Sequence, residues 1–287
     1  MKTLSLLPLK TILLLGLGLT WTATSHAQTI AYEGFDYAEG DLANQDGGSG
    51  WDGGWGSGGD WTVSSTGLNY TDSQGNSLIT SGGSAVTETS GTNQAHFREL
   101  SSDAQDSLGS SSQFWMSFLI QSSSEDHDGT YGISLYDGGS EETLLGVHFQ
   151  TGDGTRLSAG TGGADWDSGV STHQDEGESE TWLFVAHFDM VAESASYYLN
   201  PDIGGSSPTN SLESDTDIAF STSSWDTTEI RLGQFGGSND GQNFSLDEIR
   251  FGEDFASVTP IPEPSFYASL FGLAAFGGAL LWRRHRR

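Results

Sequence analysis

Cysteine is absent from all 287 residues. That excludes disulfide staples, thiolate metal centres and iron–sulfur chemistry, and leaves the core to supply stability. About 230 residues can bury roughly 70% of their unfolded surface, enough for one domain without cross-links. Lysine is missing between residues 28 and 262, where 38 of the 39 acidic residues face only Arg98, Arg156, Arg231 and Arg250, a net charge of −34. Binding to phosphate backbones requires Lys/Arg neutralisation, so nucleic acid is excluded as a partner, and anionic lipid is repelled. Proline is scarce before Pro201. Sustained helical periodicity is lacking from 28 to 258.

What is present is period-two alternation. Phe114, Met116, Phe118 and Ile120 share one face of a run, as do Tyr131, Ile133 and Leu135, and Leu145, Val147 and Phe149. In Thr181–Met190 the face is Trp182, Phe184, Ala186, Phe188 and Met190. Leu183 and Val185 are apolar on its other side, so this strand is expected to be buried on both faces. Gly/Asp/Ser/Asn clusters such as DGGSE, TGDGT and GGSNDG separate the runs, the composition of tight turns. The pattern predicts an all-β fold, an antiparallel two-sheet β-sandwich of jelly-roll size, as one acidic domain over 28–258. Val63–Gln94, poor in large apolar residues, is expected to form edge strands and surface loops.

Both ends depart from that pattern. Lys2 and Lys10 flank a short n-region, Ile12–Leu19 is an apolar run, and Ser25-His26-Ala27 places small residues three and one before a cut. This is the layout of a secretory signal peptide over 1–27, cleaved between Ala27 and Gln28 by signal peptidase. At the other end, 259–287 begins with a Pro-rich spacer containing Pro262-Glu263-Pro264. An uncharged span over 266–282 follows, then Arg283, Arg284, Arg286 and Arg287. As a helix the span is roughly 25 Å long, close to a hydrocarbon core once flanking arginines snorkel. The arginines are the positive-inside signal and keep the extreme C-terminus cytoplasmic. Alternating prolines read as an extended spacer open to a processing enzyme.

This triple arrangement resembles the PEP-CTERM sorting signal of exosortase-bearing Gram-negative bacteria, with Ile-Pro-Glu-Pro-Ser as its core. The resemblance implies recognition near Pro262, Glu263 and Pro264 by exosortase, transient residence in the inner membrane, and then display at the cell surface or release into extracellular matrix, often alongside polysaccharide. The body more loosely resembles concanavalin A-like (LamG-type) jelly rolls. The features are YEGFDYAEGDL with GSGWDGGW, the YYLN strand and the closing LDEIRFGEDF.

That fold raises the question of glycoside hydrolysis, which needs two carboxylates projecting from one face into a cleft. Glu33, Asp36 and Glu39 lack that spacing, as do Asp247, Glu248 and Glu253. There is no Gly-x-Ser-x-Gly elbow and no zinc-type histidine spacing. Asp126 and Asp128, in EDHDG, and Asp240, in SNDG, put hard oxygen ligands in turns. They are candidate ligands for a structural Ca²⁺, against the competing reading of ordinary hairpin turns. In GWDGGWGSGGDW, Trp51 and Trp55 are candidates for stacking on sugar rings, against the competing reading that they plug one end of the sandwich. The expected role is a non-catalytic exported surface or matrix protein with carbohydrate binding in view. A polysaccharide-degrading enzyme or a protein-adhesion module stand as alternatives.

Overall fold

Residues 28–57, 61–87, 95–122, 128–150, 154–161, 180–219, 227–238 and 244–262 are described by a computed structural model. In chain order they form β1 (Thr29–Glu33), β2 (Gly40–Asp41), β3 (Trp61–Ser64), β4 (Ser84–Thr87), β5 (Ala95–Glu99), α1 (Ser102–Ser110), β6 (Gln113–Ser122) and β7 (Asp128–Asp137). There follow β8 (Ser140–Gln150), β9 (Gly154–Thr161), β10 (Thr181–Asp189), β11 (Ser194–Leu199), β12 (Glu213–Ala219), β13 (Glu229–Ser238), β14 (Phe244–Gly252) and α2 (Phe255–Val258).

The strands make two antiparallel sheets. The larger runs β12-β11-β10-β6-β14-β4-β3-β2, with β1 also on β14; the smaller runs β5-β13-β7-β8-β9. Alternation places one set of side chains from each sheet between them. Phe114, Met116, Phe118 and Ile120 of β6, and Phe184, Ala186 and Phe188 of β10, meet Ile133 and Leu135 of β7 and Ile230 and Leu232 of β13 in one core. The two-sheet antiparallel sandwich is thus the fold.

A second apolar cluster covers the outer face of the large sheet. Leu119 of β6 and Leu183 and Val185 of β10 pack there against Leu68, Tyr70, Leu78, Ile203, Phe255 and Val258. The central strand β10 is therefore buried on both faces, as its sequence predicts. Each Leu or Val so covered contributes roughly 1.5–3 kcal/mol.

Three expectations are corrected. Helix does occur in the body. Ser101 caps α1 by accepting from Ala104 N–H, and Ala104 and Leu108, one turn apart, are its only buried residues. Two apolar positions in nine give almost no periodic signal. α2 is set by a capping box between Asp254 and Ser257.

The second concerns Val63–Gln94. Strands do form toward one edge of the large sheet, as β3 and β4, but residues 65–83 between them are a strap bound over that sheet rather than a loop free of it. A few apolar side chains suffice because polar bonds fix the path. Asp72 accepts from Gln74 N–H (2.9 Å), Asn76 N–H (2.8 Å), Asn76 Nδ2 (2.9 Å) and Ile203 N–H (2.7 Å). Asp202 accepts from Ser73 Oγ (2.6 Å) and Asn210 Nδ2 (2.5 Å). Tyr70 OH donates to Pro201 O at 2.8 Å.

The third is the start of the Pro-rich spacer, which is part of the body. Ile79 N–H donates to Pro260 O at 2.8 Å, and Ile261 packs against the second cluster. Pro262, the last described residue, is exposed. Among the described residues no helix is long and apolar enough to cross a membrane. Residues 1–27, Glu263, Pro264, the span 266–282 and Arg283, Arg284, Arg286 and Arg287 lie outside the described residues.

Candidate functional site

Three polar or aromatic centres stand out against this framework. The first contains the two tryptophans singled out above. Glu33 at the end of β1 turns its carboxylate inward, where it accepts from Phe35 N–H (2.7 Å), Tyr37 OH (2.6 Å) and Trp55 Nε1 (3.3 Å), and pairs with Arg98 Nη1. Arg98 on β5 also donates to Gly47 O (2.8 Å) and Gly53 O (3.1 Å). Its guanidinium lies 5.1 Å from the Trp51 ring centre and 5.5 Å from that of Trp55. Trp55 is 1% exposed and stacks on Phe35. Trp51 is partly buried, donates Nε1–H to Tyr32 O at 2.9 Å, and meets Phe251 edge-on. The loop folds this closely because Gly48, at φ +69°, has no Cβ; one would sit 2.2 Å from Tyr32 O. Trp55 therefore has no ring face for a sugar, and Trp51 spends its ring on Arg98 and Phe251. The tryptophans plug the sandwich end, and the expectation of sugar stacking by this pair is corrected. Desolvation of a buried cation is what draws both indoles and a carboxylate around Arg98.

The second centre was not singled out from the sequence. On the outer face of the large sheet Trp115 of β6 stacks on His187 of β10 (4.2 Å between ring centres, 20° between planes) and on Tyr198 of β11 (6.4 Å, 19°). Phe255 of α2 closes on Trp115 edge-first at 5.5 Å. Exposed Gln113 orients the imidazole, with its Oε1 3.1 Å from His187 Nε2. His187 and Tyr198 are partly exposed. Burial lowers the His187 pKa from the ordinary histidine range, with Asp189 opposing it, so the imidazole is neutral at neutral pH. The signal for this group is present in the sequence: Trp115, His187 and Tyr198 each occupy the strand face opposite the core set. Only the pairing of β6, β10 and β11 reveals that they meet.

The third centre lies where β14 changes partner. Its first half pairs with β4 at Ser245 and Leu246, and its second half pairs with β1 from Ile249 onward. The register with β6 shifts between Asp247 and Arg250. Leu246 and Ile249 both enter the main core although three residues apart. The extra residue is a β-bulge, and Glu248 holds the left-handed conformation at φ +56°. Asp247 and Glu248 thus both reach the strap, where strict alternation would have separated them. Asp247 accepts from Leu68 N–H (2.8 Å) and Glu248 N–H (2.7 Å). Glu248 accepts from Tyr32 OH (3.1 Å) and Ser81 N–H, and pairs with Arg250. Arg250 donates to Ile79 O at 2.6 Å and lies 5.0 Å from the Tyr32 ring centre. Burial, and next the neighbouring Glu248 carboxylate, push the Asp247 pKa up to about 9. Burial likewise raises Glu248, while Arg250 pulls it down. Tyr32 is pushed up to about 12, chiefly by burial.

Among the described residues no group of three or more His, Asp or Glu side chains is placed to hold a metal ion. Asp126 and Asp240 lie outside the described residues, and Asp128 opens β7 by its backbone pairing with Ser238. Gln28 is exposed next to β1, while Ala27 lies outside the described residues.

The architecture is that of an antiparallel β-sandwich, and solved structures of that kind are similar to it. No protein-family model matches the chain, and no curated protein matches it. The receptor-binding domain of botulinum neurotoxin type G is 9% identical, with a TM-score of 0.43 over 81% of this chain and 50% of that one. A family 16 glycosyl hydrolase from Mycobacterium smegmatis is 13% identical, with a TM-score of 0.42 over 78% of this chain and 100% of that one. Botulinum neurotoxin type C, whose cell entry depends on two ganglioside molecules, is 11% identical, with a TM-score of 0.38 over 65% and 47%. The chain spans about half the length of the neurotoxin structures. At these TM-scores the likenesses carry no argument about activity or ligand. The fold stands on the strand pairing of the chain itself.

Proposed function

We propose that this chain is an exported cell-surface or extracellular-matrix protein whose concanavalin A-like jelly roll is non-catalytic and binds neutral polysaccharide. The observation that supports it most is the pair of partly exposed rings, His187 and Tyr198, stacked on buried Trp115 beside Gln113 on the outer face of the large sheet. Aromatic rings take the apolar faces of pyranoses while neighbouring amide and hydroxyl groups take their hydroxyls. The neutral imidazole and the acid excess of the body favour an uncharged glycan over a polyanionic one. Catalysis is no part of the proposal. Glu33 and Glu248 are each tied to an arginine, and Asp247 is completely buried. The sorting reading, with signal peptidase and exosortase as processing partners and passage through the inner membrane, rests on the sequence of the two ends. A structural Ca²⁺ belongs to the same proposal and enters its test.

A glycan array with residues 28–262, run with and without Ca²⁺, tests the binding. Signal on neutral glycans that disappears in His187→Ala/Tyr198→Ala supports the stack as the site. Absence of binding under both conditions leaves only a structural role. Intact-mass measurement of the protein recovered from the producing cells tests the processing, which retention of residues 266–287 would sink.

A further inference from the structure

Both ends of the strap 65–83 are held by one strand. Leu68 N–H is bound by Asp247, Ser81 N–H by Glu248 and Ile79 O by Arg250, while Tyr32 OH lies 2.6 Å from Ser81 Oγ. Gly67 permits the approach, since a Cβ there would lie 3.2 Å from Asp247 Oδ2 and 2.9 Å from Gly82 O. Asp247 and Glu248 are 0% exposed and Arg250 is 4% exposed. Two adjacent buried carboxyl groups therefore have one buried cation beside them, and Glu248 alone is paired with it. If both ionised, the cluster would carry an uncompensated negative charge out of water, which is strongly unfavourable. One proton is retained. Glu248 touches the guanidinium and accepts Tyr32 OH and Ser81 N–H, which favours its charged form. Asp247 accepts two backbone N–H groups, from Leu68 and Glu248, which also favour its charged form. It lacks the direct guanidinium contact that Glu248 has, and on that difference the proton is assigned to Asp247. The other ionisable groups around Asp247 are few: Glu248 and Arg250 on β14 and Tyr32 on β1. The paired segments of β4 and β6 contribute none, and the strap contributes Tyr70, bound to Pro201 O, and Asp72, bound to Asn76 and Ile203.

We propose that Asp247, Glu248 and Arg250 form a proton-operated latch, which holds the strap over the second apolar cluster while one proton is retained and releases it when that proton leaves. The upward displacement of Asp247 agrees with this geometry. Ionised Asp247 needs water, and at 0% exposure water reaches it by lifting Leu68 and its neighbours. The strap is bound on its other side by Asp72 and Asp202, whose partners do not titrate in the alkaline range, so it opens at one margin while the sandwich stays folded.

Chymotrypsin tests the latch, because the strap offers Leu68, Tyr70 and Leu78 and contains neither lysine nor arginine. The full chain in detergent is digested at about pH 7 and about pH 10, and cleavage at these three positions is divided by that of the free 65–83 peptide under the same conditions. The expected ratio rises at least about tenfold in the wild type and less than about twofold in Asp247→Asn, whose side chain cannot ionise. Tyr32→Phe is expected to keep the rise. A ratio independent of pH, an equal rise in Asp247→Asn, or simultaneous cleavage within β6 and β10 would overturn the proposal. If Asp247→Asn does not fold, carboxyl-carbon NMR of the wild type decides. Titration of Asp247 together with strap cleavage supports the latch, and titration in the ordinary carboxylate range overturns it.

Discussion

The Arg98 guanidinium and the Glu33 carboxylate are paired inside the protein, with side chains 0% and 1% exposed. The pair joins β1, the first strand of the large sheet, to β5, the edge of the small one, and the loop carrying Trp51 and Trp55 is wrapped around it. Removing Arg98 leaves Glu33 buried beside no cation, and removing Glu33 leaves buried Arg98 only the exposed Asp46, 3.4 Å away.

Glu33→Ala and Arg98→Ala are each expected to cost about 3–5 kcal/mol in urea unfolding. Glu33→Leu/Arg98→Met, which removes both charges and keeps volume, is expected to cost less than the two single changes added together. Additive losses would show that the two residues act independently.

Acid is expected to loosen the strap through Asp72 and Asp202. Burial pushes Asp72 up, but hydrogen bonds from Asn76, Ile203 and Gln74 outweigh it and hold its carboxyl below the usual range. Asp202 is held low by Ser73 and Asn210. Folded values below unfolded ones mean that this stabilisation is present above the unfolded pKa of about 4 and is lost as pH falls through the folded values. The Tm gap between wild type and Asp72→Asn should be widest at about pH 6 and narrow progressively as pH falls below about 4. An unchanged gap in Tm would contradict the assignment. Asp247 has the opposite sign, since its raised pKa makes it a cost that accumulates as pH rises from about 4 to about 9.

The outer cluster should behave as true core. Leu183, 0% exposed, faces away from the space between the sheets. Leu183→Ala is expected to cost about 2–5 kcal/mol by the cavity it leaves. Val191→Ala, at a position 79% exposed, is expected to change stability by less than about 0.5 kcal/mol. Equal effects in chemical denaturation would mean that the strap covers nothing of consequence.

How legible these features were depended on how local their causes are. The strands around Phe114–Ile120 and Trp182–Phe188 were readable because a half-buried strand writes its environment into every second residue. The double burial of β10 was readable because Leu183 and Val185 interrupt that rule. Trp51 and Trp55 were ambiguous, since an indole suited to a sugar is equally suited to a cation and a core. Only the arrival of Arg98 from a distant strand decided between them. α1 went unread because its burial rests on Ala104 and Leu108 alone. The strap went unread because its path is set by Asp72, Asp202, Asp247 and Glu248, polar residues whose partners lie up to 179 positions away.

From the chain alone follow the two-sheet antiparallel sandwich, the expectation that nucleic acid is not a partner, and the contrast between an acidic lysine-free body and its apolar, basic tail. These depend on composition and period, which are properties of the chain before it folds. Tertiary structure decided which tryptophans are plugs, which aromatic rings stand together on the outer face of the large sheet, and that of two adjacent buried carboxyl groups Glu248 is the one paired with an arginine. Each of these is set by an encounter between distant segments and by the dielectric in which it occurs. Neither can be read along one strand.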